Sequence, residues 1–384
     1  MTSKHAHRDR RSYSRFETII LSILFFVFLI LAMTTSYLIF RYKILAFRNY
    51  NYYIIGILAL LAILIGFLLF RGKAFVLNLV LSSLAITVLL VALFQTSFAL
   101  NIYKKISRSK SMKNGQSINA STDKDMSERS FNIYVSGIDT YGSVKNVSRS
   151  DVNVIVTVNN ASNKVLLTTT PRDTYLQIAD GGKNEFDKLT HSGIYGIEAS
   201  IHTLENLYGI VLDHYVRLNF TSFLKLVDLV GGIDVNNEQT FSDRGYTFPK
   251  GKVHLDSKKA LVFVRARYTL KDGDKDRGRN HERVIEALIR KLDSKDALSN
   301  YKEILTHMSD SIQTDIPLDV LMDMVNARMN SSASYQIESQ DLQGRGVMGL
   351  PSHAMPESKL YMMEIDKDSL DKVSRKIKDT YNEK

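Results

Sequence analysis

A chain of 384 residues, 45% of them hydrophobic, has room for a membrane segment and one or two globular domains. It contains no cysteine, which excludes disulfides, thiolate catalysis and cysteine-ligated metals. The formal net charge of +10 points to nucleic acid only until the chain is divided: residues 1–130 carry 17 Lys+Arg against 5 Asp+Glu, the remainder 33 against 35. The larger part is close to neutral, so its basic residues form local clusters and no nucleic-acid partner is expected.

Residues 1–15 are polar and basic (Lys4, Arg8, Arg10, Arg11, Arg15) and are assigned as a cytoplasmic tail. Three apolar runs follow within 16–103: Phe16 to Phe40, charged only at Glu17, then Asn49 to Phe70 and Ala74 to Tyr103 with no charge. Each reaches the ~20 residues that a bilayer-spanning helix needs. The first is too long, and followed too soon by another, for a cleaved signal peptide. Lys+Arg counts in the flanking segments nearly balance, so the positive-inside rule orients the spans only weakly. The basic N-terminal cluster and the lack of cysteine beyond the last span place the N-terminus inside. A multi-pass protein of the cell membrane with an extracytoplasmic C-terminal domain is expected. Residues 104–130, rich in Ser, Lys, Asn and Asp, read as an extracytoplasmic stalk.

Globular structure is expected over 131–384 as one domain. Phe131–Gly137, Val152–Val158 and Val165–Thr170 are short runs rich in β-branched residues and read as strands. His191–Tyr208 has helical periodicity and stops at Gly209, a suitable C-cap. Tyr215–Leu218 reads as a strand, Phe220–Val230 as a helix ended by Gly231-Gly232, and Arg283–Leu292 as an amphipathic helix. Pro317–Met329 and Ser369–Tyr381 read as helices and Leu360–Ile365 as extended. Such alternation predicts an α/β fold, a three-layer α/β/α sandwich with a mostly buried central mixed sheet, preceded by three transmembrane helices.

The most unusual stretch is Arg265 to Arg283, RARYTLKDGDKDRGRNHER, where arginines and lysines interleave with Asp272, Asp274 and Asp276. A charge run is commonly a solvated face. Here Asp139, the triplet Arg149-Ser150-Asp151 and the triplet Pro171-Arg172-Asp173 each lie at the edge of a predicted strand, and together they favour an anion site. Guanidinium groups grip phosphate oxygens with a planar fork, and paired carboxylates hold Mg²⁺ against the same phosphates. Asp139 and Asp151 are the candidate metal pair. Arg265 and Arg267 share a face only in extended chain. Arg277 and Arg279 approach from the opposite side, with Asp274 and Asp276 to orient them. His191 and His281 are weighed as structural, since no zinc-type spacing supports either.

Read together, VSGID, RSDVNVIVTVN, TTTPRDTYLQI, LVDLVGGIDV and KALVFVRARYTLKDGDKDRGRNHERVIEALIRKL resemble the LytR-CpsA-Psr family of bacterial cell-envelope proteins, in the same order. The three preceding spans resemble its streptococcal capsule-type members. The resemblance implies an extracytoplasmic domain that binds a polyprenyl-pyrophosphate-linked glycan. It also implies Mg²⁺-dependent transfer of the glycan phosphate to peptidoglycan, with pyrophosphatase side activity. Carried over by motif, Asp139 and Asp151 would be metal-associated, and Arg149, Arg172, Arg265, Arg267 and Arg277 would bind pyrophosphate, with Arg279 and His281 beside them. Arg172, Asp173 and Asp276 are the catalytic candidates, the two carboxylates as general bases. His281 stands where many members have Gln, which predicts a phosphate contact that varies with pH. The competing reading is a membrane sensor that binds the lipid pyrophosphate without turnover.

Overall fold

The computed structural model describes residues 13–42, 48–71, 75–106, 128–144, 147–308 and 311–383. Most of the expected tail and stalk lies outside the described residues.

Three helices open the chain: α1 (Arg15–Tyr42), α2 (Arg48–Arg71) and α3 (Phe75–Ile106). Within them Arg15–Leu38, Tyr53–Phe70 and Phe75–Phe94 are long and apolar enough to cross a membrane. Their apolar residues lie all round each helix, and Phe26, Ile30, Leu60 and Val88 stay exposed, as suits helices that meet lipid instead of water. Phe28, Ile65, Ala85 and Leu89 make a small core of their own. The helices to Asn101, with Leu318–Asn326, form one compact unit, and the rest of the described chain forms a second.

The second unit begins with a meander of β1 (Ser130–Ile138), β2 (Ser150–Asn159) and β3 (Lys164–Thr169), antiparallel throughout. A hairpin follows, β4 (Tyr175–Gln177) with β5 (Phe186–Lys188), then α4 (Leu189–Ser192), α5 (Ile197–Tyr208), β6 (His214–Asn219) and α6 (Phe220–Leu229). The helix expected from His191 to Tyr208 is interrupted at Gly196, whose φ of 116° only glycine adopts readily. Its end at Gly209, in the left-handed conformation, is as expected.

Next come β7 (Ile233–Asn237), the hairpin of β8 (Phe241–Asp243) and β9 (Tyr246–Phe248), β10 (Gly251–Leu255), α7 (Ser257–Arg265) and α8 (Asp274–Leu292). The C-terminal part holds α9 (Lys295–Ser299), α10 (Tyr301–Met308), β11 (Gln313–Thr314), α11 (Leu318–Asn330), β12 (Gln336–Asp341), β13 (Gly344–Met348), β14 (Tyr361–Ile365) and α12 (Lys367–Asn382). The main sheet runs β11-β6-β1-β2-β3-β12. β1 with β6 and β3 with β12 are parallel, the other pairs antiparallel, so the sheet is mixed as expected.

Helices cover both faces. On one, Ile201 and Leu204 of α5 and Val373 and Ile377 of α12 pack with Tyr134, Ile155 and Leu166 of the sheet. On the other, α8 runs against β2, β3 and β12 and shares a second core with α6, α7, β7 and β10, built on Val227, Ile233, Leu255, Phe263 and Val284. Because both faces are covered, β2 is buried almost end to end, polar residues included. Those polar residues are satisfied: Tyr134 Oη donates to Asn153 Oδ1 at 2.6 Å, and Thr157 Oγ1 to Asn132 Oδ1 at 2.8 Å.

Candidate active site

The site starts with an irregularity in the first strand pair. Gly137 pairs with Val152 and Ile138 with Ser150, which leaves Asp151 as the extra residue of a β-bulge. A bulge re-aims a side chain that regular alternation would send elsewhere. Asp151 Oδ2 meets Arg172 Nη1 at 3.2 Å, and its Oδ1 accepts from Thr190 Oγ1 at 2.9 Å. Gly137, in the same strand pair, is glycine for a packing reason. A Cβ there would stand 2.8 Å from the Cβ of Val152.

Arg172 and Asp173 follow Pro171 at the end of β3, the edge where α/β sheets hold their ligands. Asp173 is buried, and Lys188 Nζ donates to its Oδ1 at 2.8 Å. The third contribution is α8, which begins at Asp274, well before the expected Arg283. Its first turns therefore carry Lys275, Arg277, Arg279 and His281 toward the same place. A cleft of about 190 Å³ is lined by Asp151, Arg172, Asp173, Lys275, Arg277, Arg279 and His281 from these elements, and also by Asp341 and Tyr361. Cations from two elements thus converge on one small space, next to the N-terminal end of a helix, where backbone dipoles also favour an anion.

Asp276 departs from its expected role. It is buried, absent from the cleft lining, and saturated: its carboxylate takes Arg279 Nη1 at 2.9 Å, Gln239 Nε2 at 2.7 Å and the Asp272 amide at 2.9 Å. Burial raises its pKa, but these hydrogen bonds and the Arg279 charge outweigh burial and hold it below the usual range. Such a carboxylate positions Arg279 and is a poor proton acceptor. His281 departs as well. Burial, with Arg277 and Arg172 nearby, pushes its pKa down to about 3. With that pKa the ring is neutral at physiological pH, and its Nε2–H donates to the Val264 carbonyl at 3.0 Å, a contact that does not titrate there.

The remaining expected residues lie outside the cleft lining. Arg149 is exposed, with Nη2 3.7 Å from Met355 Sδ. Arg265 ends α7, its guanidinium 4.5 Å over the Phe220 ring, and Arg267 lies 5.4 Å over the Tyr268 ring. Ala266 between them leaves the helix and is fully buried, so the two arginines flank a buried residue. Asp139 is exposed at the end of β1.

Among the described residues no group of three or more His, Asp or Glu is placed to hold a metal. Asp139 and Asp151 nevertheless stand at neighbouring strand ends, since Ile138 pairs with Ser150. Mg²⁺ commonly takes one or two carboxylates and completes its shell with phosphate and water, so the donor chemistry of this pair fits the ion.

Sequence reasoning missed Lys275, Thr190, Lys188 and Asp341. Asp341 ends β12, whose parallel pairing places it beside Thr169, and a single polar strand gave no signal of that neighbour. It also missed Glu282, which is buried on α8 with its pKa pushed up to about 7 by burial and, less, by Asp341.

The chain thus carries an α/β/α domain with a guanidinium-lined cleft at a strand-end edge, and ahead of it in sequence three helices long and apolar enough to cross a membrane. The family model described as the LytR_cpsA_psr family matches residues 90–379, and the chain belongs to that family. A "Polyisoprenyl-teichoic acid--peptidoglycan teichoic acid transferase TagU" of Enterococcus faecalis (strain ATCC 700802 / V583) is 35% identical over 258 residues, 66% of this chain and 80% of that protein. The protein of the same name from Bacillus mycoides (strain KBAB4) is 33% identical over 234 residues, 59% of this chain and 76% of its own. Among solved structures, TagV of B. subtilis superposes with a TM-score of 0.57 at 25% identity, covering 66% of this chain and 98% of that one. A structure titled "TagT bound to LIIa-WTA" shares the fold with a TM-score of 0.55 at 24% identity, over 72% and 99% of the chains.

Proposed function

We propose that this protein transfers a glycopolymer phosphate from a polyprenyl-pyrophosphate carrier to peptidoglycan. The observation that carries the reading is the cleft that joins Arg172, Arg277 and Arg279 to Asp151 and Asp173. The relatives named as teichoic acid transferases support the reaction class, against a sensor without turnover.

A diphosphate must be neutralised from several sides before its phosphorus can be attacked, and positioned cations supply most of that stabilisation. Arg172 and Arg277 would grip the diphosphate oxygens from opposite walls, Arg279 held in place by Asp276 and Lys275 adding a point charge. An acceptor hydroxyl oxygen forms a bond to the glycan-side phosphorus, the bond from that phosphorus to the bridging oxygen breaks, and polyprenyl phosphate leaves. The hydroxyl proton passes to Asp173, whose carboxylate lines the cleft and is held by Lys188. Asp139 and Asp151 would hold Mg²⁺, which adds charge neutralisation at the phosphates. The N-terminus lies in the cytoplasm and the domain outside the cell membrane, beside its lipid-linked donor and wall acceptor.

The test is turnover. The purified full chain, in detergent with a lipid-linked polymer and peptidoglycan, should form the phosphodiester and release polyprenyl phosphate. Asp151→Asn should abolish that while unfolding as the parent does. Stoichiometric binding with no product from the parent chain would favour the sensor.

A further inference from the structure

A second cavity lies outside the arginine cleft and has a different chemistry. It is an open groove of about 710 Å³, within the ~300–1,000 Å³ usual for small-ligand sites, and lies between the β4–β5 hairpin and the loop 351–356. Tyr175, Phe186 and Pro351 give it apolar faces, and Asn184, Glu185 and His353 give it hydrogen-bonding groups. The lining holds no Lys or Arg. The two rings lie 5.4 Å apart at 42°, and Phe186 keeps 52% of its surface exposed although it sits in a folded hairpin.

The cavity is built in advance. Asp187, next to Phe186, is buried and takes hydrogen bonds from Ser352 Oγ and the Ala354 amide, each at 2.8 Å, and from His191 Nδ1 at 2.7 Å. These bonds pin the loop onto the hairpin. Across the mouth His353 Nδ1 lies 3.3 Å from Glu185 Oε2.

It is also beside the cleft. Tyr175 lies two positions after Asp173, and the Asp173 carbonyl accepts the amide of Met363, which lines the cleft, at 2.8 Å. Arg149, two positions before Asp151, reaches Met355 in the same loop.

Aromatic and proline faces suit the C–H faces of pyranose rings, and amide, carboxylate and imidazole groups suit hydroxyls and acetamides. A lining without cations does not suit phosphate. We infer that this groove binds a neutral stretch of saccharide, the aminosugar strand of the acceptor, and so presents its hydroxyl to the arginine cleft. The inference rests on the transfer reading above for the word acceptor, and on the groove alone for saccharide.

The experiment uses the full chain in detergent with N-acetylglucosamine oligomers as the probe, alongside transfer kinetics, for the parent, Phe186→Ala, Glu185→Gln and the exposed control Val211→Ala. The parent and control should bind the oligomer. Phe186→Ala should weaken binding at least 10-fold, with a matching rise in KM for peptidoglycan and no change in KM for the lipid donor. Glu185→Gln keeps the shape of the groove and should lower affinity in the same direction. No oligomer binding by the parent, or equal binding by parent and both groove variants, overturns the saccharide site. If donor KM rises and acceptor KM does not, the groove holds the donor polymer and the acceptor assignment falls. If the parent binds oligomer through Phe186 but makes no product, the transfer reading fails and the saccharide site stands.

Discussion

Arg172 Nη1 lies 3.2 Å from Asp151 Oδ2, both side chains about one-fifth exposed, so one guanidinium of the cleft is already paired with a carboxylate. An arriving diphosphate must compete for that guanidinium, or arrive with a cation that takes over the carboxylate.

The cleft geometry ranks the arginines. Arg172→Ala and Arg277→Ala should each weaken lipid-pyrophosphate binding by about 10- to 150-fold, the ~1.5–3 kcal/mol of a charge-assisted hydrogen bond. Arg267→Ala, whose guanidinium stacks on exposed Tyr268, should cost less than about fivefold. Lys at 172 should restore part of the loss, since it keeps the charge and drops the fork. Titration of the four variants with one lipid pyrophosphate checks the order, and an Arg267 effect as large as that of Arg277 would place it at the ligand.

Asp276→Asn tests positioning against proton transfer. The amide keeps one acceptor oxygen but loses the charge that holds Arg279, so donor KM should rise several-fold while the acidic limb of the pH–rate profile stays where it is. Asp173→Asn should instead depress kcat across the profile. A shift of the acidic limb in Asp276→Asn would return that residue to catalysis.

Two adjacent residues on α8 give stability a defined pH window. His281 has a folded pKa of about 3, depressed from 6.5, so the unfolded chain binds more protons between these values and stability falls as pH drops below about 6.5. Glu282 has a folded pKa of about 7, raised from 4.5, so the folded chain holds the extra proton and stability falls as pH rises from about 4.5 through 7. The second effect approaches roughly 3 kcal/mol above pH 8. Glu282→Gln should flatten the alkaline side of a denaturant-midpoint curve between pH 5 and 8 and leave the acidic side unchanged.

Much of the fold was legible because it follows from local pattern. β1, β2, β3, β6, α6 and α12 lie where periodicity and glycine stops placed them, and the three long apolar runs are helices. The hairpins β4–β5 and β8–β9 went unseen because strands of three residues carry no period. In the site, motif residues on β2, after β3 and on α8 do meet, whereas Arg149, Arg265 and Arg267 do not line the cleft. Sequence spacing could not separate these groups. For Arg265 and Arg267 what decides is the break at Ala266, which ends one helix before the next begins.

The pairing of β3 with β12 has a consequence for synthesis. Thr168 and Gln340 are bonded neighbours although 172 positions separate them. While the chain is made, β1, β2 and β3 can pair as soon as Asn159–Thr169 is available, but the outer edge of β3 stays open until Gln336–Asp341 follows. Contacts of such sequence separation slow folding, and an open edge recruits foreign strands. The waiting edge also lacks Asp341, so a chain stopped before Gln336 would be both aggregation-prone and short of one wall of its cleft.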